Sequence, residues 1–452
     1  MEKEKKQFNI HFIGIGGVSM SGLAEYFASV GFLVSGSDRN DFLAKSRLEK
    51  LGIKVFVGHS EENVIGAQTV VYSDAIANDN PELVYAKNNG IFCLSRGDAL
   101  KMISENFGDV VGVCGCHGKT TVTCMLAHIF KCAGIKFTAH IGGEDVKLGN
   151  FVINGNDVFL SEVCEFKKNI NKFVPDFAVC LNTGVDHMDC YSTEDELFNT
   201  YLNFVKRGYR SIINKSDAVL GDYNGNNAVF FSSVESADCM AKNLKSKGGK
   251  YSFDFYLKNK KLGRINLLVY GRYNVDNALA AVSCANRMGI SFQNIKEGLK
   301  NFAGVKRRFE EIGKLGKGVV ISDYAHHPTE ITACLKCAME VAKGKVHVIF
   351  QPHTYSRTTF LKKDFISVLS KVENLALYKT FSARENYVLG GSAYDLHKLI
   401  LGSKYFENVE TALEYYAKVL KRNDLLLVLG AGDLYYLVKE KIADNRLICL
   451  KK

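Results

Sequence analysis

Val111-Gly-Val-Cys114-Gly115-Cys116-His117-Gly118-Lys119-Thr120-Thr121 is the stretch that decides the fold. An apolar run from Asp109 to Val113 stops at Gly115, and Gly118-Lys119-Thr120-Thr121 opens a helical pattern that runs through His128. Strand, glycine loop and helix, in that order, form a cradle for nucleotide phosphates. Glycines let backbone N–H groups close on the anion, and the helix start adds its partial positive charge. Lys119 would place a point charge on the β- and γ-phosphates, and the Thr120 hydroxyl is positioned to ligate Mg2+. The strict phosphate-loop spacing asks for glycine at 113, where this chain has valine. For this window by itself, a glycine turn followed by a surface lysine is also open.

Working outward, the first hundred residues alternate strand and helix. Phe8 to Ile13 reads as a strand, Met20 to Val30 as a helix and Phe32 to Ser37 as a second strand. A helix then runs to about Lys50, and short strands follow near Lys54–Val57 and Thr69–Ser73. Such alternation predicts a parallel sheet covered on both faces. Its first loop, Gly14-Ile-Gly16-Gly17-Val-Ser-Met-Ser-Gly22, is dinucleotide-like, and Asp38 closes the second strand about twenty residues on. Ser19 stands in the third glycine's place, so the loop predicts a nucleotide ligand only weakly.

Downstream, the phosphate loop starts a second unit that runs to about Phe302. Within it, the Lys-rich segment Lys242–Lys261 is expected as a β-hairpin region or a surface excursion. A third unit opens with Gly304-Val-Lys-Arg-Arg-Phe-Glu and carries buried-type strands at Gly318–Ser322, Val346–Phe350 and Leu425–Leu429. The expected architecture is α/β, with three domains that each hold a mainly parallel sheet, at 1–105, 106–303 and 304–452.

Composition bounds the class. A chain of 452 residues is expected to hold about two to four domains. It is 23% charged and 47% hydrophobic, as soluble globular proteins are. No apolar run approaches the roughly 18 residues of a membrane span. The start, Met-Glu-Lys-Glu-Lys-Lys, leads straight into a strand and predicts no signal peptide. Thirteen scattered cysteines with no paired CxxC blocks are expected as reduced thiols of a cytoplasmic protein. The net charge of +10 is spread along the chain rather than gathered in a basic stripe, which favours a polyanionic small molecule over nucleic acid.

Further segments end strands with chemistry-bearing residues. Val158–Ser161 leads to Glu162 and Glu165, carboxylates suited to a nucleotide-bound metal. Leu181-Asn-Thr-Gly-Val-Asp186-His187-Met-Asp189 sets Asp and His together. Gly271-Arg-Tyr-Asn274-Val-Asp-Asn277 presents two amides on one helix face, suitable for a base edge. Asp323-Tyr324-Ala-His326-His327-Pro328 and Gln351-Pro-His353-Thr-Tyr-Ser-Arg357 follow two later strands. Taken singly, each has a plain explanation as a helix cap or a packed polar residue.

Their order along the chain resembles the Mur ligases of peptidoglycan synthesis, from Ile10 to Gly432. The segments that carry the resemblance are HFIGIGGVSMSGLA, GCHGKTT, NTGVDHMD, GRYNVDNALAA, GVKRRFE, DYAHHPTEI, FQPHTYSRT and LGAGD. It implies a Rossmann-like amino-terminal domain that holds a UDP-sugar through Gly14, Gly16, Gly17, Asp38, His59 and Ser73. It implies a central domain that binds ATP through Gly115, Cys116, His117, Gly118, Lys119, Thr120 and Thr121, with Asn274 and Asn277 near adenine. Mg2+ would be held by Thr120, Glu165 and His187. From a Rossmann-like carboxy-terminal domain, Arg308 and Asp323 would reach the nucleotide, and Tyr324, His326, His353 and Arg357 would surround the incoming amino acid. Lys119, His326 and Arg357 are the expected catalytic residues, His326 as proton acceptor for the amine.

What the resemblance further implies is an acyl-phosphate route to an amide. The implied substrates are UDP-N-acetylmuramate and L-alanine, handled by a monomer or homodimer without nucleic acid or membrane insertion. Departures from the family pattern are Cys116 for threonine, Phe166-Lys167 for a frequent Ser-Asp, Tyr273 for histidine and Thr354 for arginine. The nearest alternative is a recycling ligase that adds a whole tripeptide to the same UDP-sugar. A later ligase of the pathway, a folylpolyglutamate synthetase, an NAD-dependent dehydrogenase and a non-catalytic scaffold are more remote.

Overall fold

The computed structural model describes residues 8–185, 190–383 and 385–444. The first sheet comprises β1 (Asn9–Ile13), β2 (Leu33–Asp38), β3 (Lys54–Val57), β4 (Thr69–Tyr72) and β5 (Phe92–Ser95). Its order is β3-β2-β1-β4-β5, with every pair parallel. Helices α1 (Val18–Ser29), α2 (Lys45–Lys50), α3 (Pro81–Asn88) and α4 (Arg96–Ser104) connect the strands. Strand order reverses between β1 and β4, which opens a crevice beyond their carboxyl ends. Phe12 and Ile10 on β1 pack against Leu23, Ala24 and Phe27 of α1, all buried. The expected strands and first helices are present within a residue or two. The segment α3–β5–α4 lies beyond the expected pattern.

The second sheet has ten strands in the order β15-β14-β13-β12-β11-β10-β6-β9-β7-β8. They are β6 (Asp109–Cys114), β7 (Phe137–Asp145), β8 (Gly149–Ile153), β9 (Val158–Glu162), β10 (Phe177–Cys180), β11 (Arg210–Asn214), β12 (Ala228–Ser232), β13 (Cys239–Lys247), β14 (Lys250–Leu257) and β15 (Lys260–Tyr270). The run from β7 through β9, β6, β10, β11 and β12 to β13 is parallel, and β8 pairs antiparallel with β7. Strands β13 and β14 are joined by Gly248-Gly249, at φ 57° and 76°, and β14 and β15 by Lys258-Asn259, at φ 44° and 67°. Two left-handed residues in a two-residue loop match the twist of a hairpin, so the Lys-rich segment forms tight hairpins.

Helix α5 (Lys119–Ala133) follows β6, α6 (Glu194–Arg207) follows β10, and α7 (Tyr273–Arg287) and α8 (Phe292–Asn301) follow β15. Gly298 lets α8 ride close on α5, since a Cβ there would lie 2.5 Å from Ile129 Cα.

A six-stranded sheet, β16-β17-β21-β18-β19-β20, forms the third layer system. Its strands are β16 (Glu310–Leu315), β17 (Gly318–Asp323), β18 (Val346–Phe350), β19 (Asn374–Tyr378), β20 (Lys404–Phe406) and β21 (Leu425–Leu429). Only β16 runs antiparallel. Helices α9 (Pro328–Val341), α10 (Tyr355–Phe360), α11 (Lys362–Leu369), α12 (Ala393–Leu399), α13 (Val409–Val419) and α14 (Leu434–Ala443) cover it.

Three mainly parallel sheets are thus present. By contact the chain forms two compact units, one of residues 1–243, 253–265 and 276–303, the other of 244–252, 266–275 and 304–452. The described cysteines are free thiols. Among the described residues no helix is long and apolar enough to cross a membrane.

Candidate active site

The first unit carries two glycine loops, each between a central strand and a helix start. In the loop from β6 to α5, Gly115 and Gly118 have φ 137° and 88°, which side-chain-bearing residues rarely adopt. A Cβ on Gly118 would lie 2.4 Å from Asn277 Oδ1. Asn182, just past β10, pins the loop on both sides. Its Oδ1 accepts from His117 N at 2.9 Å, its Nδ2 donates to His117 O at 3.0 Å, and its backbone carbonyl accepts from Cys116 N at 3.2 Å. The thiol of Cys116 lies 3.5 Å from His117 Nε2.

Lys119 opens α5 and folds back over the loop. Its ammonium donates to Gly115 O at 2.5 Å and meets Glu165 at 3.1 and 3.3 Å. Burial works against the charged form, but the carboxylates of Glu165 and Glu162 and the thiols of Cys164 and Cys116 outweigh it. The lysine is held above its ordinary range. Glu165 is itself 1% exposed, and Tyr191 Oη grips its backbone carbonyl at 2.6 Å. Thr120 Oγ1 donates to Glu162 Oε2 at 2.6 Å. The Glu162 carboxylate lies against Gly142, where a Cβ would sit 2.0 Å from Oε1 and displace it. Hydroxyl and carboxylate oxygens side by side at a phosphate loop are hard donors of the kind Mg2+ takes. The threonine therefore partners Glu162, the strand-end carboxylate that the residue pattern marks for a metal but the family resemblance leaves out. His187 lies outside the described residues.

In the loop from β1 to α1, Gly14 has φ 84° and rests on Ser73, whose Cβ would be 3.2 Å from a Cβ at 14. Gly14 N and Ile15 N donate to Ser37 O at 2.8 and 2.9 Å. Gly16 N donates to Asp38 Oδ2 at 2.9 Å, and Gly17 caps α1. His59 reaches the same edge and places Nδ1 3.0 Å from Glu82. Glu82, fully buried in the first turn of α3, escaped the sequence reading. Burial would raise its pKa, yet the nearby His11 ring and hydrogen bonds from Ser37 and Asn63 pull it down to about 2. Gly14, Gly16, Gly17, Asp38, His59 and Ser73 therefore share one crevice.

Between these loops runs a one-way chain of hydrogen bonds. His140 on β7 is buried, and burial, then the Arg96 charge, pushes its pKa down to about 3, so the ring is neutral. Ser161 Oγ donates to Glu162 O at 3.0 Å and can only accept from His140 Nδ1, 3.1 Å away. His140 Nε2 must then accept from Ser19 Oγ at 2.7 Å, and Ser19 accepts in turn from Arg96 at 3.5 Å. Arg96 also pairs with Asp74 at 3.4 Å. The residue in the third glycine's place is thus a link toward Glu162.

The second unit gathers the carboxy-terminal candidates. Asp323, at the end of β17, accepts from Phe309 N and Ala325 N, both at 2.8 Å. Burial raises its pKa to about 6, with the Arg308 charge opposing. The Arg308 guanidinium lies 5.0 Å from the Tyr324 ring centre. His326 places Nδ1 3.0 Å from Tyr324 O and 3.3 Å from Glu330, so that nitrogen carries the hydrogen and Nε2 is the basic one in the neutral ring. His353 is the converse. Arg357 Nη1 donates to its Nδ1 at 3.2 Å, so Nε2 carries the hydrogen. The two imidazoles meet edge-on at 5.7 Å, and His353 stacks on Phe381. Thr354, at φ 67°, starts the short helix that bears Arg357 and caps it through Oγ1. Asn274, in the first turn of α7, donates to Tyr270 O at 2.6 Å.

Comparison with known proteins agrees with this arrangement. Three family profiles match in series: Mur ligase family, catalytic domain, over residues 9–108; Mur ligase middle domain over 113–285; and Mur ligase, glutamate ligase domain, over 307–432. The chain belongs to the Mur ligase family. It is 39% identical to the UDP-N-acetylmuramate–L-alanine ligase of Clostridium acetobutylicum, with 94% of this chain and 95% of that protein covered. The UDP-N-acetylmuramate-alanine ligase of Thermotoga maritima has a similar structure, with a TM-score of 0.83, 27% identity, and coverage of 97% and 99%. A murein peptide ligase from Psychrobacter arcticus shares the fold at a TM-score of 0.75 and 21% identity, covering 98% and 100%.

Proposed function

We propose that this chain is an ATP-dependent ligase that joins L-alanine to the carboxylate of UDP-N-acetylmuramate. The products are UDP-N-acetylmuramoyl-L-alanine, ADP and phosphate, as peptidoglycan synthesis requires. The observation that carries this reading is the pairing of Lys119 with Glu165 beside Thr120 and Glu162, at a loop whose backbone is already shaped for phosphates. Near-full-length similarity to the clostridial alanine ligase supports the choice of substrates.

A carboxylate is a poor electrophile, so the γ-phosphoryl group passes to a carboxylate oxygen and ADP leaves. The alanine nitrogen then attacks the acyl carbon, the carbon–oxygen bond to phosphate breaks, and the nitrogen gives up a proton. Lys119 offsets negative charge on the transferred group. Thr120, Glu162 and Glu165 are the described groups that would hold Mg2+, which when bound neutralises phosphate charge. Gly14, Gly16, Gly17, Asp38, His59 and Ser73 would hold the UDP part. His326, with a basic Nε2, would take the amine's proton, while His353 Nε2–H and Arg357 would donate to the alanine carboxylate. Asn277, in the same unit as the phosphate loop, would line the rest of the nucleotide site.

Phosphate release from ATP, measured with UDP-N-acetylmuramate and single amino acids or a tripeptide, tests the reading. Release that requires L-alanine is the expected result. Dependence on the tripeptide would replace it with the recycling ligase, and no turnover would end it.

A further inference from the structure

A buried negative charge next to a site for an anionic sugar nucleotide needs a reason. Glu82 is such a charge, at 0% exposure, and its carboxylate is met by donors on both oxygens. Oε1 takes Asn63 Nδ2 at 2.7 Å and Ser60 N at 3.4 Å. Oε2 takes His59 Nδ1 at 3.0 Å and the Ser37 hydroxyl, with His11 Nε2 3.7 Å away. The donors come from the end of β2 and the loop after β3, and His11 stands on β1. Ser37 in turn holds the glycine loop, because its carbonyl accepts from both Gly14 N and Ile15 N.

The chemistry dictates a ring orientation. A carboxylate can only accept, so His59 Nδ1 carries a hydrogen. His59 Nε2 then has no hydrogen-bond partner among the described residues and is the edge available to a ligand. We propose that Glu82 is the positioning residue of the sugar-nucleotide site: it locks His59 with Nε2 facing the UDP moiety and steadies the glycine loop through Ser37. This rests on the reading of the crevice as the UDP site. Glu82 touches no substrate itself. A glutamine cannot replace it, since its NH2 faces donors whichever way the amide is turned.

The test is Glu82→Gln in the full chain, with UDP-N-acetylmuramate binding followed by calorimetry. Expected is a Kd about thirty-fold higher, as for loss of an orienting partner, with kcat at saturation within about three-fold and the KM for ATP unchanged. In a His59→Ala background the same change should cost much less than thirty-fold, because the His59 route is already lost and only the support of the glycine loop through Ser37 remains. Unaltered affinity, or fully additive losses, would overturn the proposal. Nitrogen-15 spectra of the histidine rings in the wild-type protein decide the matter even where the variant does not fold. A fixed Nδ1–H form of His59 is expected, and an Nε2–H form overturns it. Wild-type protein that fails to bind the UDP-sugar would instead break the site reading, leaving the ring spectrum to report on Glu82.

Discussion

The two glycine loops of the first unit share a plan but differ in the charge set against them. Both follow a central strand of a parallel sheet and open a helix, where N–H groups converge. At the β1 loop, one of those groups is already taken by a carboxylate, Gly16 N on Asp38. At the β6 loop, an ammonium lies over the turn, with Lys119 on Gly115 O, and the pinning residue is a neutral amide, Asn182. A carboxylate repels a triphosphate and welcomes hydroxyl donors, as a ribose offers. An ammonium does the reverse. On the proposed assignment, one backbone device would sort two nucleotides by the side chain placed beside it.

The largest test of that contrast is Lys119→Ala. Turnover is expected to fall by at least about a thousand-fold, because transition-state charge loses its partner, while UDP-N-acetylmuramate still binds. Phosphate-release assays and calorimetry check the two halves. Retained activity would erase the distinction between the loops.

Next comes acid stability at the link between them. Folded His140 stays neutral down to about 3, whereas the unfolded side chain takes a proton below its ordinary value near 6.5. The unfolded state thus binds more protons as pH falls through this window, and stability drains away by about 5 kcal/mol in total. His140→Gln should flatten that slope, read as a lower pH midpoint of acid unfolding.

Asp38→Asn sharpens the comparison from the other loop. It keeps an acceptor for Gly16 N but removes the charge, and is expected to weaken UDP-sugar binding about ten-fold without altering the KM for ATP. The smallest effect is expected from Ser19→Gly, which restores the third glycine. It leaves His140 Nε2 without its donor, at a cost of about 1–2 kcal/mol in thermal unfolding, and shifts UDP-sugar affinity less than about three-fold.

What could be read from the sequence was what is local. The phosphate loop, Lys119 and Thr120 lie within a few residues, and Val/Ile/Leu runs such as 346–350 and 425–429 announce buried strands. Glu82 was invisible, because a glutamate after Asn80-Pro81 looks like an ordinary first-turn residue and its partners are 19 to 45 positions away. Asn182 sits within a visible motif, but its grip on His117 spans 65 residues. Glu162 is recognisable as a strand-end carboxylate, yet its bond to Thr120 spans 42 residues and is made where the carboxylate lies against Gly142. Each is a long-range juxtaposition made by the sheet register, which periodicity does not encode.

The hairpins around Gly248-Gly249 and Lys258-Asn259 contribute residues to both compact units, and α7 begins in one and ends in the other. The two units are therefore stitched rather than strung. Cutting the gene before residue 304 would not free an intact carboxy-terminal piece. It would remove Gly249, which rests on Val341, and Tyr270, whose ring lies 5.5 Å from Phe309, leaving raw apolar surface on the excised fragment.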